Sequence, residues 1–208
     1  MVIHTAWDLA RHLTTSAARV PWIGAAIVLA DASLIEPIAV RAGLWHWTEP
    51  GLFAVPPIGI LGWAFFTFLA LSVWSRAPAA EPLRPHAALR PSTLAWTFPV
   101  TAVGVHLMLL ALWWGALRWM NQEVPTLPFV VAAWVASLSL SLWAARRRAG
   151  RQIPRVDLAM RIPAAAFFFV LLARYAADDP ALIAYALAFA PPYLVLTVHS
   201  FGVSPTPR

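Results

Sequence analysis

The chain has 208 residues, 61% of them hydrophobic and 12% charged, with a mean hydropathy of +0.69. A soluble globule carries about 25% charged residues, so soluble enzymes and nucleic-acid-binding domains are the first classes excluded. The net charge of +6 rests on fifteen arginines and no lysine against nine acids, and in so apolar a chain this balance points to cytoplasmic loops, not to nucleic acid.

The first element is an N-terminal segment over residues 1–18. His4, Asp8, Arg11 and His12 fall at helical spacing on one face, with Ile3, Trp7 and Ala10 on another. That pattern predicts an amphipathic helix lying in the membrane interface; an unstructured tail is the competing reading. Trp7, Asp8, Arg11 and His12 also interrupt the apolar core that a signal peptide needs. Six apolar runs follow, over residues 20–35, 54–74, 94–117, 127–145, 159–175 and 181–198. One crossing takes about 20 residues, so six would leave roughly 88 for loops and tails. Proline and charge mark the gaps. Pro78, Pro82, Pro85 and Pro91 fill the second loop, Pro125 and Pro128 bracket the start of the fourth run, and Pro180 follows Asp178 and Asp179. Those two acids suit the positive N-terminal end of the last helix. The predicted fold is all-α: one polytopic integral membrane domain of about six transmembrane helices over residues 1–208.

The arginines give this map an orientation. Arg11, Arg19, Arg76, Arg84, Arg90, Arg146, Arg147, Arg148, Arg151, Arg155, Arg161 and Arg208 fall on one side, against Arg41, Arg118 and Arg174 on the other. Both termini are therefore expected in the cytoplasm, with the protein in a bacterial inner membrane. The opposite face holds Glu36, Glu49, Glu123, Asp178 and Asp179. In the fourth run Ala133, Ser137, Ser141 and Ala145 form a small-residue stripe that suits close helix packing.

Residues 31–63 carry the densest cluster of unusual side chains. Asp31 falls in the last turns of the first run, where an ionisable group is costly unless paired, neutral or facing a cavity. Glu36 precedes Pro37, a sequence that disfavours helix and predicts the end of the span there. Gly43, Trp45, His46, Trp47 and Glu49 follow in the loop, then Pro57 and Gly62-Trp63. Each group also has a plain reading: the tryptophans as interface anchors, Glu36 as a solvated loop acid, Asp31 as a structural hydrogen-bond donor or acceptor between helices.

The pattern Asp31…Glu36-Pro37…Ala39…Gly43…Trp45…Trp47…Pro57…Gly62-Trp63 resembles the carotenoid biosynthesis membrane proteins that include bisanhydrobacterioruberin hydratase and γ-carotene 1′-hydroxylase. The resemblance covers about 33 of the 208 residues. It departs at Glu36-Pro37, where the family usually has Asp-Pro, and at Ile58-Gly59-Ile60, where the family tends to carry an Asn before Leu-Gly-Trp. Relatives also carry further spans upstream. The resemblance implies a cofactor-independent hydratase that adds water across a terminal double bond of an acyclic carotenoid. It assigns catalysis to Asp31 and Glu36, and substrate contacts to Trp45, Trp47, His46, Glu49 and Trp63. In that picture Asp31 donates the proton, Glu36 positions or deprotonates water, and the Trp45 and Trp47 faces stabilise the tertiary cation. Burial favours the protonated form of a carboxyl group, and a dry indole face attracts a cation. The same residues would equally serve a non-catalytic groove that binds carotenoid or docks another pathway enzyme.

The remaining features are weaker. His106, mid-span in the third run, suits a hydrogen bond between helices better than a proton relay. The six histidines show no i, i+4 pairing for a metal, so no metal or other cofactor is expected. Pro191-Pro192 predicts a bend in the last helix, and Arg146-Arg147-Arg148 is a topology signal able to attract anionic lipid headgroups. A transporter is disfavoured because Asp31 and His106 are nearly the only ionisable groups within the spans. The expected partners are the lipid bilayer, a long isoprenoid and other carotenoid-pathway enzymes, with no nucleic acid.

Overall fold

The structure is a computed structural model that describes residues 2–76, 91–120, 122–147 and 155–191. In chain order the helices are α1 (Val2–Leu13), α2 (Val20–Arg41), α3 (Pro57–Arg76), α4 (Pro91–Gly115), a 3-10 turn (Leu117–Met120), α5 (Thr126–Arg147), α6 (Arg155–Tyr175) and α7 (Pro180–Leu187). The described residues contain no β-strand. Three helices, α3, α4 and α7, begin on a proline, whose fixed φ and missing N–H suit the first helical position.

Three stretches, Val20–Arg41, Pro57–Ser75 and Ala95–Gly115, are long and apolar enough to cross a membrane. Apolar stretches in α5 and α6 run over Thr126–Leu142 and Ile162–Tyr175 among the described residues. Outward-facing residues are apolar too: Trp96, Val103 and Leu107 on α4, and Leu127, Val131, Val135 and Leu138 on α5, are all exposed. Apolar surface on that scale belongs in lipid. The described residues are all-helical, with three helices long and apolar enough to cross a membrane, as a helical membrane protein requires.

Two compact units divide the chain, Met1–Ser33 with Pro56–Gln122, and Leu34–Val55 with Glu123–Arg208. In the first, α1 is the amphipathic helix that its spacing predicts. Ala6, Leu9 and Ala10 are buried, the Trp7 ring meets Trp74 of α3 at 5.6 Å between centroids, and exposed His4 pairs with Asp8 at 3.1 Å. Gly24 of α2 lies so close to Leu71 of α3 that an added Cβ would collide with that side chain. Trp22 and Phe68 make a second aromatic contact between these helices, 4.5 Å between centroids.

In the second unit Leu34, Ile38, Leu52, Val130, Leu172, Leu182 and Tyr185 form one core. The Trp134 indole N–H donates to the Ala184 carbonyl at 2.9 Å, tying α5 to α7. Ser137 and Ser141 of the small-residue stripe are buried, while the Ala145 side chain lies outside the described set. Asp179 caps α7 by accepting the Leu182 N–H at 2.9 Å, as expected of an acid preceding Pro180.

Three expectations need correction. Helix α2 does not stop at Glu36 but runs through Pro37 to Arg41, which places Asp31 mid-helix, about 15 Å from its end. The last helix is broken just before the predicted bend: α7 ends at Leu187 with Ala188 as its C-cap, residues 188 and 189 form a turn, and the chain is helical again at 190 and 191. His106 is exposed on α4, not bonded between helices. Arg84, Arg90, Arg148, Arg151, Arg208, Pro192 and His199 lie outside the described residues, as do residues 192–198 of the sixth run.

Candidate functional site

The end of α2 builds the site. Gly43 has φ of 71°, its N–H bonds the Val40 carbonyl at 3.0 Å, and the Leu44 N–H bonds the Ala39 carbonyl at 2.9 Å. This pair of bonds closes a helix through a left-handed residue, the conformation that favours glycine. The chain then turns back. Trp45 and Trp47, two residues apart, both reach Glu36, while His46 between them is exposed.

Glu36 is only 3% exposed. Its Oε2 accepts the Trp45 indole N–H at 3.0 Å and the Trp47 indole N–H at 3.3 Å. A buried carboxyl group is tolerable only when hydrogen-bonded, and two indole donors on one oxygen meet that need on one side of the group. Here the indoles present N–H edges to the acid. Trp45 remains 40% exposed, so its ring also forms part of the outer surface.

Glu36, Trp45 and Trp47 are thus brought together. The other predicted residues are placed differently. Asp31 is half-buried on α2, in the first unit. Five residues separate it from Glu36, which on a regular helix sets the two about 140° apart around the axis, so one helix face does not carry both. Trp63, on α3 in the first unit, is 49% exposed. Glu49 accepts the Thr48 hydroxyl at 2.9 Å. Among the described residues no three histidines or acids come together to hold a metal ion.

The structure adds a cleft that sequence reasoning missed. It measures about 280 Å³ and is lined by Pro37, Val40, Arg41, Phe53, Ala54, Asp179 and Leu182, so it starts one residue from Glu36. That volume is near the lower limit of small-molecule sites, about 300 Å³. Its walls are polar and apolar in about equal part, and Arg41 at the rim pairs with Asp178 through Nη2, at 2.8 and 2.7 Å to the two carboxylate oxygens. That partner holds the Asp178 carboxyl below its ordinary value, chiefly through the hydrogen bond itself. Opposite sits a tight turn in which the Val55 N–H bonds the Leu52 carbonyl at 3.0 Å. Phe53 and Ala54 at its centre have φ of 51° and 61°. Left-handed backbone at two residues with side chains is strained, and the Phe53 ring, 5.2 Å from Tyr185, helps to hold it. Neither residue carries a sequence signal for such a turn, which normally uses glycine or asparagine. Arg41 did stand out, as one of three arginines on the acidic side.

Comparison with protein-family models, curated proteins and solved structures found no match.

Proposed function

We propose that this chain is a six-span membrane protein that hydrates a terminal double bond of a long acyclic isoprenoid of the carotenoid class, with Glu36 at the reacting centre. The observation that carries the reading is a buried carboxyl group held by two tryptophans. Protonating an unactivated alkene requires an acid shielded from bulk water, and the tertiary cation that forms must survive until water arrives. A carboxyl group transfers its proton to the terminal double bond, water adds to the cation, and the water's surplus proton returns to the carboxylate. The balance is one water added, with no redox change and no cofactor. His46 and Glu49, in the same unit as Glu36, are the auxiliary substrate contacts of this reading. The bonds to Glu36 modify the earlier picture: with their edges turned to Glu36, Trp45 and Trp47 orient that acid.

The same bonds favour a second reading of another class. Trp45, Glu36 and Trp47 would then form a brace that fixes the loop on α2, in a protein that binds an isoprenoid or docks a pathway enzyme without chemistry.

Mass analysis of pigments from an acyclic-carotenoid-producing host separates the two. The hydratase yields a product heavier by one water, and Glu36→Gln abolishes it. Unchanged pigment masses across several acyclic substrates would overturn catalysis, and pigment co-purifying unaltered would establish the binding protein. The proposed topology has both termini in the cytoplasm. Because the chain has no cysteine, it is testable by single replacements: Ala17→Cys should react with an impermeant thiol reagent only after cells are opened, and Ala177→Cys before.

A further inference from the structure

A second pair of tryptophans holds a charge of the opposite sign. Helix α4 ends at Gly115, and the 3-10 turn Leu117–Met120 follows. Leu117 is buried and anchors that turn, which packs against α3. The Arg118 guanidinium carbon then lies 4.6 Å from the centre of the Trp114 ring and 4.0 Å from that of Trp119. Its Nε is buried without a hydrogen-bond partner, and among the described residues no carboxylate pairs with it. Trp114, Trp119 and Met120 are all exposed, at the end of a helix apolar enough to cross the membrane.

We propose that Arg118, held between Trp114 and Trp119, binds the phosphate group of an anionic membrane lipid. Ring contacts restrain the guanidinium, and a restrained guanidinium is a planar fork suited to two parallel hydrogen bonds to phosphate oxygens. Indole contacts attract the cation but accept no hydrogen bond in the guanidinium plane, so they leave the fork its hydrogen-bonding capacity. The exposed ring bodies of Trp114 and Trp119 lie at the depth where glycerol and upper acyl carbons meet an aromatic belt. A carboxylate partner would have neutralised this arginine within the protein, as Asp178 does for Arg41. Arg118 instead keeps its charge for an anion supplied by the bilayer. This site is independent of Glu36 and of any hydration reaction.

The test uses the full chain purified in mild detergent and equilibrated with equal amounts of phosphatidylglycerol and phosphatidylcholine, with retained lipid counted by native mass spectrometry. The wild type is expected to retain phosphatidylglycerol preferentially, and Arg118→Gln to weaken that retention about tenfold, the value of one charged hydrogen bond. Arg118→Lys keeps a charge without the fork and should fall between them. If Arg118→Gln fails to purify as a helical, monodisperse protein, Trp119→Ala, which removes one ring from the guanidinium, should lower retention in the same direction. Equal retention of the two lipids by the wild type, or undiminished retention by the Arg118 or Trp119 variants, overturns the proposal. Inorganic phosphate is expected not to displace the lipid; displacement at millimolar phosphate would assign the site to a free anion and overturn the lipid reading.

Discussion

Glu36 and Arg118 are each held by two tryptophans, and the two pairs use opposite parts of the indole. Trp45 and Trp47 turn their N–H edges to the carboxylate oxygen of Glu36, while Trp114 and Trp119 turn their faces to the guanidinium of Arg118. An aromatic ring is positive at its edge and negative over its face, so one residue type serves either sign of charge. Access differs as well. Glu36 is 3% exposed, as suits a group shielded from bulk water; Arg118 stands among exposed rings at a helix end, as suits a group that meets lipid. Tryptophan content alone therefore says little about a site in a membrane protein, whereas the part of the ring in use says a good deal.

The sharpest way to break this comparison is at Glu36. Glu36→Ala strands two indole donors, and a buried unsatisfied donor costs about 1–3 kcal/mol. Because Trp45 is partly exposed and its N–H can recruit water, a total near the low end for two donors, about 2 kcal/mol, is expected in thermal unfolding in detergent. Glu36→Gln keeps an acceptor oxygen and should stay within about 1 kcal/mol of the wild type while losing all hydration product. A Gln variant as unstable as the Ala variant would mean that the negative charge itself, and not an acceptor at that position, holds the tryptophans.

Backbone comes next. Gly43→Ala places a Cβ on a left-handed residue and should destabilise the turn by about 1–2 kcal/mol, and the loop carrying Trp45 and Trp47 should loosen with it. Ala54→Gly is the converse change and should stabilise by up to about 1 kcal/mol. A neutral result for both would show that neither turn is strained in the folded protein. Single ring changes are smaller. Trp45→Phe and Trp47→Phe each delete one donor and should cost about 0.5–1.5 kcal/mol, with the 3.0 Å bond of Trp45 the dearer. Trp119→Phe keeps a face for Arg118 and should cost at most about 0.5 kcal/mol, because Phe is the weaker cation partner. Equal costs at Trp45 and Trp119 would erase the distinction between edge and face.

Smallest of all is the pair at the cleft rim. Asp178 titrates below its ordinary value because Arg41 bonds its charged form. Its contribution is therefore complete above the ordinary aspartate range and disappears as pH falls through the lowered folded value. Both side chains are exposed, so salt should screen the effect. Asp178→Asn is expected to shift the unfolding temperature slightly at neutral pH and low salt, and not at all at strongly acid pH or in molar salt.

The helical class, the N-terminal amphipathic helix and the limits of α3 to α6 were legible along the chain, because hydropathy, helical spacing and proline position are local signals. The indole-to-carboxylate bonds of Trp45 and Trp47 to Glu36 were not, since Glu36 read as a helix end or loop acid and the rings as faces for a cation. Nor was the course of α2. Pro37 argues for a helix end and costs about 3 kcal/mol inside a helix, yet Leu34, Ile38 and Ala39 on either side of it are buried, and burial of apolar side chains contributes more than that together. Gly43, not Pro37, sets the end. Tertiary structure alone also brought Asp178 to Arg41 across 137 residues and formed the cleft between Pro37, Phe53 and Leu182. It likewise stacked Arg118 on two rings whose neighbouring positions in sequence do not say which part of each indole will face the charge. Sequence determined which residues are apolar and which carry chemistry; packing decided which of them meet, because that depends on where helices end and how their loops return.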